Sequence, residues 1–253
     1  TMWRVSTSGT ITPGSTSVAF ERAVVNSSDS VSFTQSGSGA RTDRSMQDKA
    51  RDIVCLKDFC QVDGTTNDKA KLDLLLASHV AVFHPGGDCL LSTAVALPSG
   101  TTIYGVGEDA KFFTSLSAPV NIFTVAAGST NIRLKGIHLD GRRKHASFSL
   151  PGSRSRSNAL FLFGDTSAWT TKIYMEDIWL SEACQFHAAF ESCDGVTLRN
   201  FIISGNGLDS GGSNQAGNVD GIHFTNCRNA SIDGATIDSG DDCVAFTTDA
   251  NAL

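Results

Sequence analysis

The sequence lacks the long apolar runs and the signal segment that would assign it to a membrane or to a secretory route. Its longest apolar stretches, such as ALFLFG, are far shorter than the ~20 residues that a membrane helix requires. Nothing near Thr1 has the basic and then apolar form of a signal peptide. We therefore expect a soluble protein that does not use the general secretory pathway and has no membrane partner.

Positive charge and paired cysteines are also scarce. Twenty Lys and Arg against 26 Asp and Glu leave a formal charge of −6, which makes nonspecific binding to DNA or to anionic membranes a poor hypothesis. The seven cysteines are odd in number and have no CxxC spacing. They indicate neither a disulfide scaffold nor a zinc site, and we expect small buried apolar residues instead. No metal or other cofactor is expected.

A weak internal repeat is present from Ile132 onward. It recurs in four segments: NIRLKGIHLDG, KIYMEDIWLSE, GVTLRNFIISG and ASIDGATIDSG. The apolar or small residues fall at the same offsets: Ile132, Leu134, Ile137 and Leu139; Ile173, Met175, Ile178 and Leu180; Val196, Leu198, Phe201 and Ile203; Ala230, Ile232, Ala235 and Ile237. This alternation predicts two short strands in each segment, with a corner where the pattern slips by two residues.

The spacing of the repeats favours a solenoid. The second and third segments begin 23 residues apart, at Ile173 and Val196. This interval is too short for a propeller blade, and it lacks the helix of leucine-rich or ankyrin units. A parallel β-solenoid therefore fits best. A β-sandwich is the alternative, but sandwiches seldom keep the same apolar offsets over successive repeats.

The chain before the repeats predicts a cap and an adaptor. An amphipathic helix that starts with Thr66 or Asn67 as its N-cap would cover the first coil with an apolar stripe of Leu72, Leu75 and Leu76. Residues 1–40 are rich in Ser, Thr and Gly and predict an adaptor or linker that lies outside the core. Residues 41–54 predict a connecting helix, and residues 55–253 the solenoid.

Longer stretches carry a family resemblance. The segment from FTQSGSGARTD to VDGTTND resembles the junction in phage and prophage tailspike proteins, where a connecting helix leads into the solenoid. FHPGG, LPSGTTIYGVG and IHLDG look like the pectate-lyase-type β-helix of those proteins. This resemblance implies an all-β, right-handed parallel β-helix and a homotrimer when the protein is full length.

Two short motifs point to chemistry. Asn218-Val219-Asp220 and Gly240-Asp241-Asp242-Cys243 are similar to the signatures of the polygalacturonase family of glycoside hydrolases, family 28. The resemblance implies that Asp241 is the proton donor and that Asp220 and Asp242 activate water. Asn218 would orient Asp220 or a sugar hydroxyl. His223 is close to Asp220 in sequence and could line the cleft and bind substrate, but a solvent-facing strand histidine fits the pattern better.

The spacing suits this chemistry for a physical reason. Asp220 and Asp241 are 21 residues apart, about one coil, so they should lie on neighbouring rungs about 4.8 Å apart. Inverting hydrolysis needs an acid and a base roughly 6.5–9.5 Å apart, and mutual repulsion among three carboxylates favours keeping one protonated. The residues alone do not separate the roles, and a solvated turn rich in Asp is the structural alternative.

A basic cluster occupies one inter-coil loop, at Arg142, Arg143, Lys144, Arg154 and Arg156. Arginine forks bind carboxylates and phosphates, so the loop could hold an anionic glycan. A solvated loop or a contact to another subunit is the alternative.

Together these features predict a phage tailspike depolymerase that hydrolyses a bacterial surface polysaccharide, either capsule or O-antigen. The expected location is the virion tail, with synthesis in the host cytoplasm and attachment to the tail or baseplate through the N-terminus. The alternatives are a noncatalytic polysaccharide-binding module and a lyase on the same fold. The family's Gly-His-Gly and Arg-x-Lys motifs do not follow Asp242 in this sequence, so we expect a piece of a longer protein.

Overall fold

The structure is a computed structural model that describes residues 54–114, 121–143, 160–205 and 219–248, together with the backbone of four short strands near the N-terminus. The chain divides into two compact units, Thr1–Ile53 and Val54–Leu253.

The N-terminal unit contains two antiparallel strand pairs. Strand β1 (Met2–Val5) pairs with β2 (Phe20–Ala23), and β3 (Ser32–Phe33) pairs with β4 (Arg44–Ser45). The predicted connecting helix over residues 41–54 is therefore wrong at Arg44–Ser45, because pairing with β3 overrides a weak local helix propensity. It is also wrong at Val54, the first residue of the solenoid's first strand. The rest of that segment lies outside the described residues.

The second unit consists almost entirely of parallel strands. These are β5 (Val54–Cys55), β6 (Asp63–Asn67), β7 (Ala81–His84), β8 (Gly87–Leu91), β9 (Val95–Ala96), β10 (Thr102–Gly105), β11 (Ala110–Thr114), β12 (Phe123–Val125), β13 (Thr130–Asp140), β14 (Phe161–Phe163), β15 (Thr170–Ser181), β16 (Ala188–Glu191), β17 (Cys193–Gly205), β18 (Ile222–Thr225), β19 (Arg228–Asp233), β20 (Thr236–Ser239) and β21 (Val244–Thr247). The described part of this unit also contains a short 3-10 helix, Leu56–Asp58, and one α-helix, α1 (Lys69–Ser78).

Each strand pairs with its counterpart one coil away, which generates three columns of parallel strands. The first face contains β9, β12, β14, β16, β18 and β21. The second face contains β5, β7, β10, the first halves of β13, β15 and β17, and then β19. The third face contains β6, β8, β11, the second halves of β13, β15 and β17, and then β20. Parallel pairing throughout identifies a β-helix and excludes the sandwich.

The stacked apolar columns follow the predicted register. Ile132 pairs with Ile173, which pairs with Val196, and the other offsets align in the same way. The residues of the first three repeats are buried, with at most 1% of their surface exposed. The fourth repeat keeps the register, but Ala230 and Ala235 are exposed, since no coil lies over them in the part of the chain that the structure describes.

The corner between the second and third faces depends on one residue per coil. Gly136, Asp177, Asn200 and Gly234 hold positive φ angles of 61°, 54°, 50° and 70° at this position. This left-handed conformation bends β13, β15 and β17 without interrupting their pairing, and Gly, Asn and Asp are the residues that adopt it at least cost. Each predicted pair of short strands is therefore one bent strand in these three coils.

Helix α1 covers the first coil as expected. Leu72, Leu75 and Leu76 are buried, and the helix packs against β7 and β9. The predicted N-cap is wrong, because Thr66 and Asn67 belong to β6 and Asp68 is the cap residue. Buried Asp68 instead accepts hydrogen bonds from the amides of Gln61 and Val62 at 2.9 and 2.8 Å, which ties the preceding loop to the helix start.

The cysteines follow their prediction in part. Cys60, Cys89, Cys184 and Cys193 are buried, Cys55 and Cys227 are half-buried, and all seven are free thiols. Cys243 is exposed, so the prediction is wrong there, because no described coil covers this corner. Within the described ranges, no helix has the length and apolar content needed to cross a bilayer.

Stacked phenylalanine rings under the first face lead to a stability prediction. Phe163, Phe190, Phe224 and Phe246 form a ladder with ring centroids 5.1, 5.2 and 5.2 Å apart. Phe190 is fully buried, so Phe190→Ala should lower the free energy of unfolding by about 3–5 kcal/mol through the cavity it leaves. Phe246 is 73% exposed, so Phe246→Ala should cost about 1 kcal/mol. Denaturant unfolding followed by circular dichroism measures both, and equal losses would contradict the ladder.

Candidate active site

Asp220 and the Asp241-Asp242 pair lie on adjacent coils. The carbonyl of Val219 accepts hydrogen bonds from the amides of Gly240 and Asp241, at 3.0 and 3.2 Å. The amide of Gly221 donates to the carbonyl of Asp242 at 2.9 Å. The structure thus brings together the three carboxylate residues that the sequence predicted, at the corner before the first face.

Their environments differ. Asp220 is 3% exposed, whereas Asp241 and Asp242 are both exposed. The side chain of Ser239 donates to the carbonyl of Asp241 at 3.0 Å and holds the turn before the pair. One carboxylate therefore has a fixed, sheltered position, and the other two face solvent beside it.

Gly221 permits the close approach of the two coils. A Cβ at this position would lie 2.4 Å from the carbonyl oxygen of Cys243 and 2.6 Å from a side-chain carbon of Ile237. Both distances are shorter than real Cβ contacts. A larger residue at 221 would therefore push the Asp220 coil away from the coil that carries Asp241.

His223 holds the Asp220 carboxylate. Its Nδ1 lies 2.6 Å from Oδ2 of Asp220, and its Nε2 lies 3.1 Å from the hydroxyl of Thr247 on the next coil. The imidazole stacks on Phe186 with ring centroids 4.5 Å apart, and the residue is 8% exposed. The solvent-facing alternative for His223 is therefore wrong.

His187 supports Asp220 from the preceding coil. Its Nδ1 lies 3.0 Å from the carbonyl oxygen of Asp220, which also accepts the His187 amide at 2.9 Å. The ring is fully buried, and burial lowers the pKa of the imidazole to about 4. No motif in the sequence singles out this residue, although the register of FHAAF against DGIHF places it directly opposite Gly221 on the neighbouring coil.

Some of the predicted residues are not among those that the structure describes. Asn218 lies outside the described residues, as do Lys144, Arg154 and Arg156 of the basic cluster. Arg143 is buried and donates to the carbonyl of Ala183 at 2.7 Å and to the carboxylate of Glu182 at 3.2 Å. These contacts and its burial place it inside the inter-coil corner, which corrects its place in the basic surface cluster.

Arg142, next in the same cluster, lies 4.5 Å over the ring of Phe113. No group of three or more His, Cys, Asp or Glu side chains that could hold a metal ion occurs in the described portion of the chain.

Comparison with known proteins gives the family. The model of glycosyl hydrolases family 28 matches residues 85–252, so the chain belongs to this family. The solved polygalacturonase from Erwinia carotovora ssp. carotovora superposes with a TM-score of 0.56 at 17% identity, over 74% of this chain and 57% of that one. This likeness confirms the right-handed parallel β-helix and the resemblance to polygalacturonases.

Two curated relatives share shorter stretches. The pre-neck appendage protein of Bacillus phage phi29 is 27% identical over 141 residues, which is 53% of this chain and 16% of that protein. Polygalacturonase-2 of Solanum lycopersicum is 30% identical over 81 residues, which is 32% of this chain and 16% of that protein. The chain thus spans about one sixth of the length of each relative.

The buried histidines generate a pH prediction. Burial lowers the pKa of both His187 and His84 to about 4, below the ordinary value of 6.5. The folded state keeps these rings neutral, so the unfolded chain binds more protons between pH 6.5 and 4. Above pH 6.5 the imidazoles are neutral in both states, and the free energy of unfolding has its full value. As the pH falls towards 4, each buried imidazole lowers the free energy of unfolding by on the order of 3 kcal/mol.

Urea unfolding at pH values from about 7 down to about 5 measures this loss. Carboxylates also titrate at the acidic end, so His187→Gln is the control that isolates one imidazole. Its unfolding free energy should fall less steeply with decreasing pH than that of the unmodified chain. Parallel pH profiles for the two proteins would contradict the assignment of a buried neutral ring.

Proposed function

We propose that this chain is the catalytic part of a phage tail appendage that hydrolyses glycosidic bonds of a bacterial surface polysaccharide. The observation that carries this proposal is the placement of Asp220 beside Asp241 and Asp242 on adjacent coils, joined by backbone hydrogen bonds at 2.9–3.2 Å. Membership of family 28 supports hydrolysis as the reaction class. Similarity to a phage appendage protein supports the virion as the location.

The proposed roles follow the different environments of the carboxylates. Asp241 is exposed and can approach the glycosidic oxygen of a bound sugar, as a general acid must. Asp220 is sheltered and held by His223, which suits a base that positions a water molecule together with Asp242. Assignment of the acid and the base rests on the family resemblance.

His223 takes a modified role in this proposal. Its ring nitrogens contact Asp220 and Thr247, so it orients the base and lines the cleft, where sugar hydroxyls would pass over the imidazole. Asn218 precedes Asp220 in the chain and retains its proposed part in orienting that carboxylate or a hydroxyl group. No cofactor takes part in the proposed mechanism.

Asp241→Asn is the direct test of the acid. It removes a proton and keeps the shape, so polysaccharide hydrolysis by the full-length protein should fall by roughly 10²–10⁴-fold while binding persists. Asp233→Asn is the matched control, because Asp233 is an exposed aspartate at the end of β19, away from the corner. Release of reducing ends from capsular, O-antigen and polygalacturonate preparations measures turnover. Undiminished hydrolysis by Asp241→Asn would remove it from the mechanism.

The same assay separates the alternatives. A lyase would release unsaturated sugar ends that absorb in the ultraviolet. A binding module would retain polysaccharide without releasing any ends, and Asp241→Asn would then change nothing.

The N-terminal unit is the proposed attachment to the virion, and the full-length protein is proposed to be a homotrimer. We expect that removing residues 1–40 leaves the solenoid folded, since α1 covers the first coil without them. Removing residues 1–78 should instead lose the β signal, because it deletes the buried leucines of the cap. Circular dichroism and thermal melting compare the two truncations, and loss of structure in the shorter deletion would contradict the boundary.

A further inference from the structure

A groove crosses the third face, separate from the carboxylates. It consists of two adjoining cavities of about 410 Å³ each that share Glu108 as a wall residue. It extends from β8 to β17, which is four inter-strand steps or about 19 Å along the axis. The Asp220 side chain contacts His223 on the first face, so this third-face groove is not the cleft described above.

One wall of the groove is apolar. Trp179 is half-exposed, and its indole edge lies over Gly107, where an added Cβ would come within 3.7 Å of the ring. Ile202 and Val106, also in the lining, are 41% and 52% exposed. An indole held in this way offers a flat apolar surface of the kind that lines small-molecule and sugar sites.

The same lining carries a preorganised acceptor beside Trp179. Nδ1 of His138 faces the carbonyl of Glu108 at 3.3 Å, so this nitrogen must donate. Burial lowers the pKa of His138, so the ring is neutral and its Nε2 accepts a hydrogen bond from the Ser181 hydroxyl at 2.7 Å. With its proton committed to His138, the Ser181 oxygen presents lone pairs to a hydroxyl or amide donor in the groove.

The charge of the lining selects among glycans. Asp88, Glu108 and Asp109 contribute three negative charges, and Lys111 contributes one positive charge, which leaves a net charge of −2. The Nζ of Lys111 also lies 4.0 Å from Oδ1 of Asp88, so Asp88 partly neutralises its positive charge. A polyuronate or phosphate-bearing chain would be repelled, whereas an uncharged chain would not.

We propose that the third-face groove binds an uncharged glycan chain built from acetamido sugars. The length of the groove along the axis suits an extended chain. The acetyl methyl groups pack on Trp179 and Ile202, and the amide N–H or hydroxyl groups donate to Ser181. The proposal rests on the proposed function only for the choice of a glycan as the class of ligand. The groove would hold one part of the polymer while the carboxylates act on another part.

Isothermal titration of the 253-residue chain tests the groove, with the hexamers of N-acetylglucosamine, glucose and galacturonate as probes. Trp179→Ala should weaken binding of the N-acetylglucosamine hexamer by about tenfold. Trp169→Ala is the matched control, because Trp169 is also half-exposed but stacks on Arg228 at 4.2 Å outside the groove, and it should leave the affinity unchanged. Ser181→Ala should weaken binding without removing the apolar wall, and Glu108→Gln should improve binding of the galacturonate hexamer.

Several outcomes would overturn the proposal. These are no binding of the N-acetylglucosamine hexamer, no effect of Trp179→Ala on its affinity, equal affinity for the glucose hexamer, or a tighter Trp179-dependent affinity for galacturonate. Sedimentation in which Trp179→Ala dissociates an oligomer would show that a second copy of the chain occupies the face. Asp241→Asn keeps the two hypotheses apart: if it binds the N-acetylglucosamine hexamer normally, the groove stands whether or not any polysaccharide is hydrolysed.

Discussion

Parallel backbone pairing between successive coils is the interaction on which the rest of this structure depends. The strands of one coil pair with those of the next on both sides of each corner, so equivalent residues are stacked in register. The register places Ile178 over Phe201 and Leu180 over Ile203, and the apolar interior becomes continuous. A slip by one residue would turn every inward side chain outward, and the burial of the inward face prevents it.

The candidate active site is a direct consequence of that pairing. Residues about one coil apart in the chain become neighbours in space. The stacking of two successive coils is therefore enough to bring Asp220 next to the Asp241-Asp242 pair. Gly221 keeps the two coils at hydrogen-bonding distance, and Thr247, on the coil of Asp241, contacts His223 across them. His187 adds a contact to Asp220 from the preceding coil. A β-helix thereby builds the candidate site from short, regularly spaced segments.

The three faces of the solenoid offer separate surfaces for a polymer. The carboxylates lie at the corner before the first face, where His223 stacks on Phe186. The third-face groove lies around the coil from them, with a different lining of Trp179, His138 and Glu108. Under the proposed function, a long polysaccharide would contact both surfaces at once, and the second contact would be strengthened by its high effective concentration.

The repeat made much of this architecture predictable. Apolar residues at constant offsets determined the coil length, the inward columns and the cap helix, because only one side of each short strand can be buried. The two acidic motifs, placed one coil apart, determined which carboxylates would meet. These features depend on spacing along the chain, which the sequence contains in full.

Other features depended on contacts between distant segments. Arg143 is buried because the carbonyl of Ala183 and the carboxylate of Glu182, about 40 residues away, satisfy it, although its neighbours in sequence suggested a basic surface loop. Asp68 turned back to the Gln61 and Val62 amides, and Arg44 and Ser45 joined a strand that local propensity did not favour. His187 became the support of Asp220 only when the coils stacked. The sequence by itself determined which residues face inward along each coil, and the tertiary structure decided which polar groups find one another, because a polar side chain takes its partner from whatever the neighbouring coil presents.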